Sequence, residues 1–416
     1  MHFWHYVYCH YVIKRTLSSR KDEAMRNIRE NVVDNNLLAK SKALQEEMLR
    51  DLEVLVNIDS PFGYSPGLTE VKNFIVGQLQ SAGATVEVLP TPAGGNNIVA
   101  SLTGNGTGRI LLMAHADTVF KPGTAAQRPF RIENGRAYGP GVCDDKAAVV
   151  MAIYAVKLLQ ESHFTDFAQI TVLINSDEEM CSVDSKALIQ NLGKQHDYII
   201  CLEAGGLQNE IIGWRKGSAR ATVEVKGKPS HAGASPEKGV NALIELANQV
   251  LQIQQLADLE KETSVSVTVF QAGEKINVIP DYAVAQIDIR AKYQEELERI
   301  AQAGAALAKQ KLIPEAEVTF HFIPNRPAFP ANPATEALVA RVADLYQELG
   351  LSTAGTGSGG GSDGNWTASV GTPTIDGMSF IGANAHTDEE YLDLASMPAR
   401  FYVLVKLLMT LGEEKI

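Results

Sequence analysis

The sequence predicts an α/β protein: a larger domain with a central, largely parallel sheet flanked by helices, and a smaller ferredoxin-like domain inserted into it. The first half of the chain alternates helices with short, continuously apolar strands, which is typical of a parallel sheet buried on both faces. After residue 213 the strands instead alternate polar and apolar residues, as half-exposed antiparallel strands do. From Asn325 onward the first pattern returns. We therefore expect the larger domain to be formed by two separate parts of the chain.

Size and composition agree with a soluble protein of two or three domains. The chain has 416 residues, of which 45% are hydrophobic and 21% are charged, and ordinary domains contain roughly 150 residues. This composition excludes a disordered chain, a collagen-like protein and a membrane channel. The 49 acidic residues outnumber the 37 basic ones, which gives a net charge of −12. We therefore expect neither a nucleic-acid partner nor a membrane partner.

The four cysteines are too few and too irregularly spaced for a disulfide framework, and no C-x-x-C motif occurs. Free thiols are typical of a reducing compartment, so we expect a cytoplasmic protein.

The N-terminal segment, residues 1–30, is expected to be an extension without stable structure. Its apolar run FWHYVYCHYVI, residues 3–13, is too short for a membrane span, which needs about 20 residues. Basic residues follow this run instead of preceding it, unlike those of a secretory signal. A true start at Met25 would explain the segment, and a short membrane-surface anchor is the alternative.

The first part of the larger domain, residues 31–213, is predicted to begin with helices and then to alternate strands with helices. Apolar residues recur at helical spacing from Leu37 to Val56, and another helix is expected over about 68–82. The continuous apolar runs that follow predict strands at 109–114, 169–176 and 197–203, with a helix at 146–162.

The inserted domain, residues 214–324, is predicted to have the order β-α-β-β-α-β, which is the ferredoxin-like arrangement. Residues 325–416 are predicted to complete the larger domain. The predicted strands of the inserted domain are 218–227, 263–272, 281–290 and 316–323, and its predicted helices are 237–256 and 293–310; a later apolar strand is predicted at 372–378.

Candidate metal ligands begin with two motifs that each contain an aspartate. HADTV places His115 and Asp117 on the same side of an extended segment, where the aspartate could bind the free ring nitrogen of a metal-binding histidine. GPGVCDDK places Asp144 and Asp145 at the start of a helix. Considered alone, His115 could be a structural histidine, and either helix-start aspartate could be an N-cap.

Three further motifs add carboxylates and a second histidine. INSDEEMCS places Glu178 and Glu179 at the end of an apolar strand, where they point in different directions, so that one can bind metal while the other moves a proton. A solvated acidic turn is the alternative for this pair. ICLEAGG places Glu203 at another strand end, and AHTDEEY places His386 in a loop.

Together the five motifs predict a metal site. The carboxyl ends of parallel strands meet at the same edge of a sheet, and agreement among five segments is improbable by chance. Two histidines and several carboxylates suit zinc, with cobalt or manganese as substitutes.

The ordered motifs HADTV, GPGVCDDK, NSDEE, LEAG, GKPSHAG and AHTDE resemble those of the dinuclear zinc peptidase family of glutamate carboxypeptidases, aminoacylases and dipeptidases. The resemblance covers about residues 35–416 and is greatest to the bacterial glutamate carboxypeptidases. It implies two zinc ions per subunit. The implied ligands are His115 and Glu203 for one zinc, Glu179 and His386 for the other, and Asp144 as the bridge between them.

The resemblance also implies roles for the neighbours of these ligands. Glu178 would be the general base, and Asp117 would bind the ring of His115. The peptide bond between Asp144 and Asp145 would be cis, as it is in the family.

The inserted domain resembles the lid and dimerisation domain of the family. Its signature GKPSHAGASPEKGVNA carries His231, which would reach the active site of the partner subunit in a homodimer. The glycine-rich run TGSGGGSDGN, residues 356–365, would otherwise be interpreted as a flexible linker. The positions that match substrate contacts of the glutamate carboxypeptidases are Asn277, Arg290, Arg326 and Gly360.

Two features depart from the pattern of the glutamate carboxypeptidases. Cys143, Cys181 and Cys201 flank ligand positions; we expect small buried thiols, with an approach of Cys201 to the metal as the alternative. The loop AGGLQNEIIGW that follows Glu203 lacks the lysine that the glutamate-specific enzymes carry there. Strict glutamate specificity is therefore not implied.

The resemblance implies a zinc-dependent metallo-carboxypeptidase or amidohydrolase. The expected reaction is cleavage of the amide bond before a C-terminal amino acid, preferably acidic, in a small peptide or N-acyl amino acid. An aminoacylase or dipeptidase that acts on neutral residues is the alternative. An inactive relative that only binds ligands is disfavoured, because all five ligand positions and Glu178 are present.

Overall fold

The computed structural model describes residues 34–413, so the predicted extension over residues 1–30 lies outside the described part of the chain. The helices are α1 (Asn35–Ala43), α2 (Gln45–Val56), α3 (Ser65–Ser81), α4 (Thr124–Gln127), α5 (Lys146–Glu161), α6 (Lys186–Gln195), α7 (Ala242–Gln254), α8 (Gln294–Leu307), α9 (Pro333–Glu348), α10 (Gly364–Ala368) and α11 (Met397–Glu413). Short 3₁₀ turns cover residues 178–180, 236–238 and 394–396.

The strands include those predicted and several, mostly short, that the sequence did not predict. They are β1 (Thr85–Pro90), β2 (Asn96–Thr103), β3 (Arg109–His115), β4 (Arg131–Glu133), β5 (Arg136–Tyr138), β6 (Gln169–Asn175), β7 (Tyr198–Cys201), β8 (Ile211–Arg215), β9 (Gly217–Lys226), β10 (Ser230–His231), β11 (Ser264–Ala272), β12 (Val278–Ile279), β13 (Tyr282–Ala291), β14 (Glu317–Arg326), β15 (Gly355–Ser358), β16 (Thr374–Ile375), β17 (Gly382–Ala383) and β18 (Tyr391–Asp393).

A six-stranded sheet forms the centre of the larger domain, with the order β1-β2-β6-β3-β7-β16. β3 is parallel to β6 and β7, and β7 is parallel to β16, whereas β1 and β2 are antiparallel to their neighbours. The expected largely parallel sheet is confirmed. Because β3, β6 and β7 run in the same direction, their carboxyl ends place His115, Asn175 and Cys201 along one edge.

Two long apolar helices complete the core of the larger domain. Almost every residue of α5 is buried, and most of α11 is buried as well. The helix Leu394–Glu413 is long and apolar enough to cross a membrane, but 61% of its most apolar window is buried inside the protein. Phe401 and Leu404 of this helix have no exposed surface. Packing in the core therefore accounts for its apolar sequence.

The inserted domain has its own four-stranded antiparallel sheet, with the order β11-β13-β9-β14. α7 and α8 pack against this sheet, so the predicted ferredoxin-like order is confirmed. The domain has a separate apolar core, which includes Val223, Leu246, Ile287 and Ile300.

The inserted domain differs from the prediction at two places. α7 begins at Ala242 rather than at residue 237, because the side chain of Asn241 accepts the N–H groups of the first helical turn and caps it. β10 and β12 form a short ribbon that the sequence did not predict, since each strand has only two residues and shows no period.

Two chain segments connect the domains, and they pair with each other. The N–H of Arg215 donates to the carbonyl oxygen of Phe329 (2.8 Å), and the N–H of Phe329 donates back to Arg215 (3.0 Å). The Asn365 side-chain amide donates to the carbonyl oxygens of Lys216 (3.2 Å) and Pro327 (2.8 Å), one on each connection. A single buried residue of the larger domain therefore holds both connections.

Candidate metal centre

The ring of His115 is oriented by the residue two positions after it. Its Nδ1 lies 3.0 Å from the Asp117 carbonyl oxygen and 3.4 Å from Asp117 Oδ1. A carbonyl oxygen can only accept a hydrogen bond, so Nδ1 carries a proton and Nε2 is the nitrogen available to a metal. Nε2 lies 2.9 Å from Asp144 Oδ1. Although burial opposes the shift, contacts with Asp117 and Asp144 raise the pKa of His115 well above its usual value.

The Asp144 carboxylate lies between two imidazole rings. Its Oδ1 contacts His115, and its Oδ2 lies 3.1 Å from His386 Nε2. Although burial opposes the shift, the hydrogen bonds from both histidines lower the pKa of Asp144. The peptide bond between Asp144 and Asp145 is cis, as the resemblance implied. Each oxygen of this carboxylate therefore faces a different histidine, which is the arrangement expected of a bridging ligand.

Each of the two histidines has a second carboxylate nearby. Glu203 Oε1 lies 4.0 Å from His115 Nε2, and Glu179 Oε2 lies 3.3 Å from His386 Nε2. Ligand atoms of His115, Asp144 and Glu179 all lie within 4.8 Å of one another. The five predicted ligands thus lie together and divide into two sets that share Asp144.

This donor set fits two divalent cations. Burial, together with the nearby carboxylates of Asp144 and Glu178, raises the pKa of Glu203 well above its usual value. Glu179 Oε1 is buried and has no hydrogen-bond partner among the described residues. Buried carboxylates that repel one another and lack donors are stabilised when cations bind between them. Imidazole nitrogens together with carboxylate oxygens are ligands that zinc accepts.

The Asp117 carboxylate holds the turn that carries the two adjacent glutamates. Its Oδ1 accepts the N–H of Glu178 (3.1 Å), and its Oδ2 accepts the N–H of Glu179 (3.0 Å). The predicted contact of this carboxylate with the His115 ring is present but longer than the contact that the Asp117 carbonyl oxygen makes. Asp117 therefore aligns both the His115 ring and the turn that carries the two glutamates.

Glu178 and Glu179 face different partners, as expected for two different tasks. Glu179 faces His386, whereas Glu178 Oε1 lies 2.7 Å from Arg326 Nη2. The same Arg326 nitrogen donates to the Glu178 carbonyl oxygen at 2.5 Å. Burial raises the pKa of Glu178 to about 8 even though Arg326 opposes the shift. Such a carboxyl group can both take up and release a proton near neutral pH.

Glu390 is a functional residue that sequence reasoning missed. Its Oε1 accepts the N–H groups of Cys143 (2.9 Å) and Asp144 (3.0 Å), and its Oε2 accepts that of Gly141 (2.9 Å). Burial raises the pKa of Glu390 to about 7. The side chain fixes the loop that presents Asp144, the candidate bridging ligand. The sequence contained one signal, since this glutamate directly precedes the buried strand β18.

The cysteines near the centre pack as small apolar residues. Cys143 and Cys201 are buried in apolar clusters, and burial raises the pKa of both thiols well above the usual value. Cys181 is partly buried. The expected packing role of Cys143 and Cys201 is therefore supported, because a neutral buried thiol is a poor metal ligand.

Arg326 is the predicted substrate residue that reaches the cluster. Arg290 instead pairs with Asp288 of the same strand, with 3.0 Å between Nε and Oδ2. Gly360 is exposed, and its carbonyl oxygen accepts a hydrogen bond from Arg215 Nη1 at 3.2 Å. Among the described residues, no hydrogen bond or ion pair joins Arg290 or Gly360 to the five candidate ligands.

His231 lies in β10, where it pairs with Val278, and Asn277 directly precedes β12. The N–H of Ala232 donates to the Asn277 carbonyl oxygen (2.9 Å). His231 Nδ1 accepts the N–H groups of Gly233 (3.2 Å) and Ala234 (3.1 Å). Because Nδ1 accepts these two N–H groups, Nε2 is the ring nitrogen that can donate a hydrogen bond. Both residues are exposed, and within residues 34–413 neither side chain bonds to the cluster.

Comparison with known proteins agrees with this geometry. A family model described as peptidase family M20/M25/M40 matches residues 111–410, which include all five candidate ligands. The chain is also 37% identical to carboxypeptidase G2 of Pseudomonas sp. (strain RS-16), over 92% of this chain and 93% of that protein. The chain belongs to the M20/M25/M40 peptidase family. The expected family is confirmed, and with it a metal-dependent hydrolase of peptide or related amide bonds.

Solved structures of M20-type enzymes share the fold of the chain. Aminopeptidase PepT of Bacillus cereus is similar with a TM-score of 0.76 at 23% identity, over 88% of this chain and 98% of that one. A dinuclear metal-binding peptidase of the M20 family from Bacillus subtilis is similar with a TM-score of 0.68 at 16% identity, over 90% of this chain and 99% of that one. These likenesses show the two-domain α/β architecture of the M20 family.

The different contacts of Glu178 and Glu179 lead to a testable separation of roles. Glu178→Ala should retain the metals and lower kcat by at least about a hundredfold, because it removes the group that moves the proton but none of the five candidate ligands. Glu179→Ala should lose metal. Metal analysis of each purified variant, combined with steady-state kinetics, measures both effects. An active Glu178→Ala enzyme beside a fully metallated Glu179→Ala enzyme would reverse the assignment.

Glu390→Gln should weaken metal binding by about ten- to a hundredfold, the usual effect of losing a group that orients a ligand. Three N–H groups donate to the two carboxylate oxygens of Glu390, whereas glutamine offers only one acceptor oxygen. Titration of the metal-free protein against a chromophoric chelator measures the affinity. Glu389→Gln is the matched control, because this neighbouring side chain is exposed. Equal affinities in the two variants would contradict the role of Glu390.

Proposed function

We propose that this M20-family enzyme is a dinuclear zinc hydrolase that cleaves the amide bond before a C-terminal amino acid, preferably acidic, of a small peptide or N-acyl amino acid. The observation that carries the proposal is that the candidate metal cluster lies next to an arginine. In the cluster, Asp144 lies between two histidines, and the neighbouring Glu178 contacts Arg326. One site supports hydrolysis, and the arginine offers a partner for a free carboxylate.

The five ligands would hold two divalent cations, His115 and Glu203 on one side of Asp144, Glu179 and His386 on the other. Zinc is proposed because of the mixed imidazole and carboxylate donors, with cobalt or manganese as substitutes. When bound, such cations supply Lewis-acid activation of water and of the amide carbonyl group.

The chain's own residues would handle the proton and the substrate carboxylate. Glu178 would take the proton of the attacking water on a carboxylate oxygen and give it to the leaving amine. Arg326 now binds Glu178 Oε1 through Nη2. A substrate carboxylate that takes this place would bring the scissile bond next to the base and release Glu178 from its ion pair.

A homodimer through residues 214–324 is part of the proposal. His231 of the partner subunit would donate from Nε2 to the developing oxyanion. The exposed position of His231 supports this role, and so do the exposed apolar side chains of α7 in the same domain, Ile244 and Leu251. A cytoplasmic location is also proposed, from the absence of a disulfide framework.

Two charge pairs favour the second candidate, an aminoacylase or dipeptidase for neutral residues. Arg215 pairs with Asp376 (2.6 Å between Nε and Oδ2), and Arg290 pairs with Asp288. The loop after Glu203 contains no lysine or arginine between residues 204 and 214. A basic side chain that could bind an acidic side chain of the substrate must therefore come from another part of the chain.

A panel of substrates tests the proposed reaction. Zinc-loaded protein should release the C-terminal residue from N-acyl amino acids and dipeptides, with kcat/KM highest for glutamate or aspartate. The matching C-terminal amides should react at least about tenfold more slowly, because a charge-assisted contact with Arg326 is lost. Faster hydrolysis of leucine or alanine derivatives would support the second candidate, and no hydrolysis of any member would contradict both.

Complementation tests the contribution of the partner subunit. Co-expressed His231→Ala and Glu178→Ala chains should regain up to roughly a quarter of the wild-type activity, since half of the dimers are mixed and each has one complete site. Glu178→Ala with His115→Ala is the matched control, because both changes affect residues of one subunit's site and leave no complete site. Verified heterodimers without activity would show that His231 does not act in the partner's site.

A further inference from the structure

Asp363 is a buried carboxylate in the glycine-rich run, 4% exposed, that the proposed reaction does not use. We propose that Asp363 is a positioning residue for Arg326, and that it thereby determines the selectivity of the enzyme for substrates with a free C-terminal carboxylate. This inference rests on the function proposed above. It assigns a specific task to a segment whose sequence is typical of a flexible linker.

Three donors from three different segments converge on Asp363. Its Oδ1 accepts from Ser182 Oγ and from Arg326 Nη1, the latter at 3.2 Å. Its Oδ2 accepts from Asn175 Nδ2 at 2.5 Å. Asn175 ends β6 and Ser182 follows the turn that carries Glu178, so this carboxylate ties the arginine to the segment that carries the general base.

The position of Asp363 is itself held by its neighbours in the run. Ser362 Oγ donates to Asp376 Oδ2, and the Ser362 N–H donates to Asn365 Oδ1 at 2.9 Å. Asn365 in turn binds both connections between the domains. A Cβ at Gly361 would lie only 2.7 Å from Arg326 Cδ, so glycine is needed where the arginine side chain passes. The run is therefore a rigid support at this point.

The guanidinium group divides its contacts between two carboxylates. Nη1 binds Asp363, whereas Nη2 binds Glu178. When a substrate carboxylate takes the place of Glu178, Asp363 remains as the contact that fixes the plane and direction of the guanidinium group. Without Asp363, Arg326 would keep its two contacts with Glu178 through Nη2, and Nη1 would keep only a 3.5 Å contact with Ser182 Oγ. The substrate carboxylate would then have to displace Glu178 from a guanidinium group that is poorly oriented.

The test compares a substrate acid with its C-terminal amide. Asp363→Asn leaves a single acceptor oxygen for three donors, so at least one contact is lost. The variant should lower kcat/KM for the N-acyl amino acid by about ten- to a hundredfold, mainly through a higher KM. For the amide, kcat/KM should change less than about threefold, since no carboxylate is bound. Metal content, measured separately, should equal that of the wild type.

Two further variants make the comparison specific. Ser182→Ala removes one donor from Asp363. This variant should also lower the ratio of kcat/KM for the acid to kcat/KM for the amide, but by less than Asp363→Asn does. Asp177→Asn is the matched control: Asp177 is also buried, but it binds the N–H groups of residues 184 and 185 and the hydroxyl group of Ser185. Asp177→Asn should change kcat/KM for the acid and kcat/KM for the amide by the same factor.

The outcomes separate this inference from the proposed function. Equal losses for acid and amide in Asp363→Asn would show a purely structural role and overturn the inference. If Asp363→Asn does not fold, an unchanged ratio in Ser182→Ala overturns it. If the wild type itself hydrolyses acid and amide equally well, the proposed carboxypeptidase function is wrong, and the inference is overturned with it.

Discussion

The Asp144 carboxylate shared by His115 and His386 is the contact on which the site depends, because both of its oxygens are engaged and each faces a different set of ligands. Glu179 and Glu203 lie beside it, so several negative charges are gathered where little water can screen them. Such a cluster is stabilised by cations between its members or, without them, by protonation, as the raised pKa of Glu203 indicates. The parallel strands supply the geometry, since their carboxyl ends deliver side chains to one edge.

A second group of buried carboxylates does not face the proposed metals at all. Asp117, Glu390 and Asp363 accept hydrogen bonds from the segments that carry Glu178, Asp144 and Arg326. Asp117 and Glu390 accept backbone N–H groups of loops at the end of the sheet, which have no partners in secondary structure. Asp363 instead accepts three side-chain donors. Each of these side chains therefore holds its partner in a defined position. The geometry of the candidate site depends as much on these acceptors as on the five candidate ligands.

The position of the inserted domain is linked to the chemistry through Arg326. This residue ends β14 of the inserted domain, yet its guanidinium group contacts the base and the glycine-rich run of the larger domain. Asn365 holds the two connections beside it. A rotation of the inserted domain must therefore move Arg326 relative to Glu178 or strain these contacts. Arg326 therefore links the orientation of the inserted domain to the surroundings of Glu178.

Much of this protein follows from its sequence, because local patterns carry the information. Continuous apolar strands predicted the parallel sheet, alternating strands predicted the inserted domain, and ordered motifs pointed to five candidate ligands and a candidate base, which the fold brings together. Other features depend on residues far apart in the chain. Glu390 lies 246 positions from the Asp144 N–H that it binds, and Asp363 lies 37 positions from Arg326. No periodicity or spacing marks such pairs, since only tertiary packing brings an acceptor to an irregular loop. The fold class and the candidate ligands could thus be predicted from local patterns, whereas the buried acids that orient those ligands could not, because burial and hydrogen-bond partners exist only after the chain has folded.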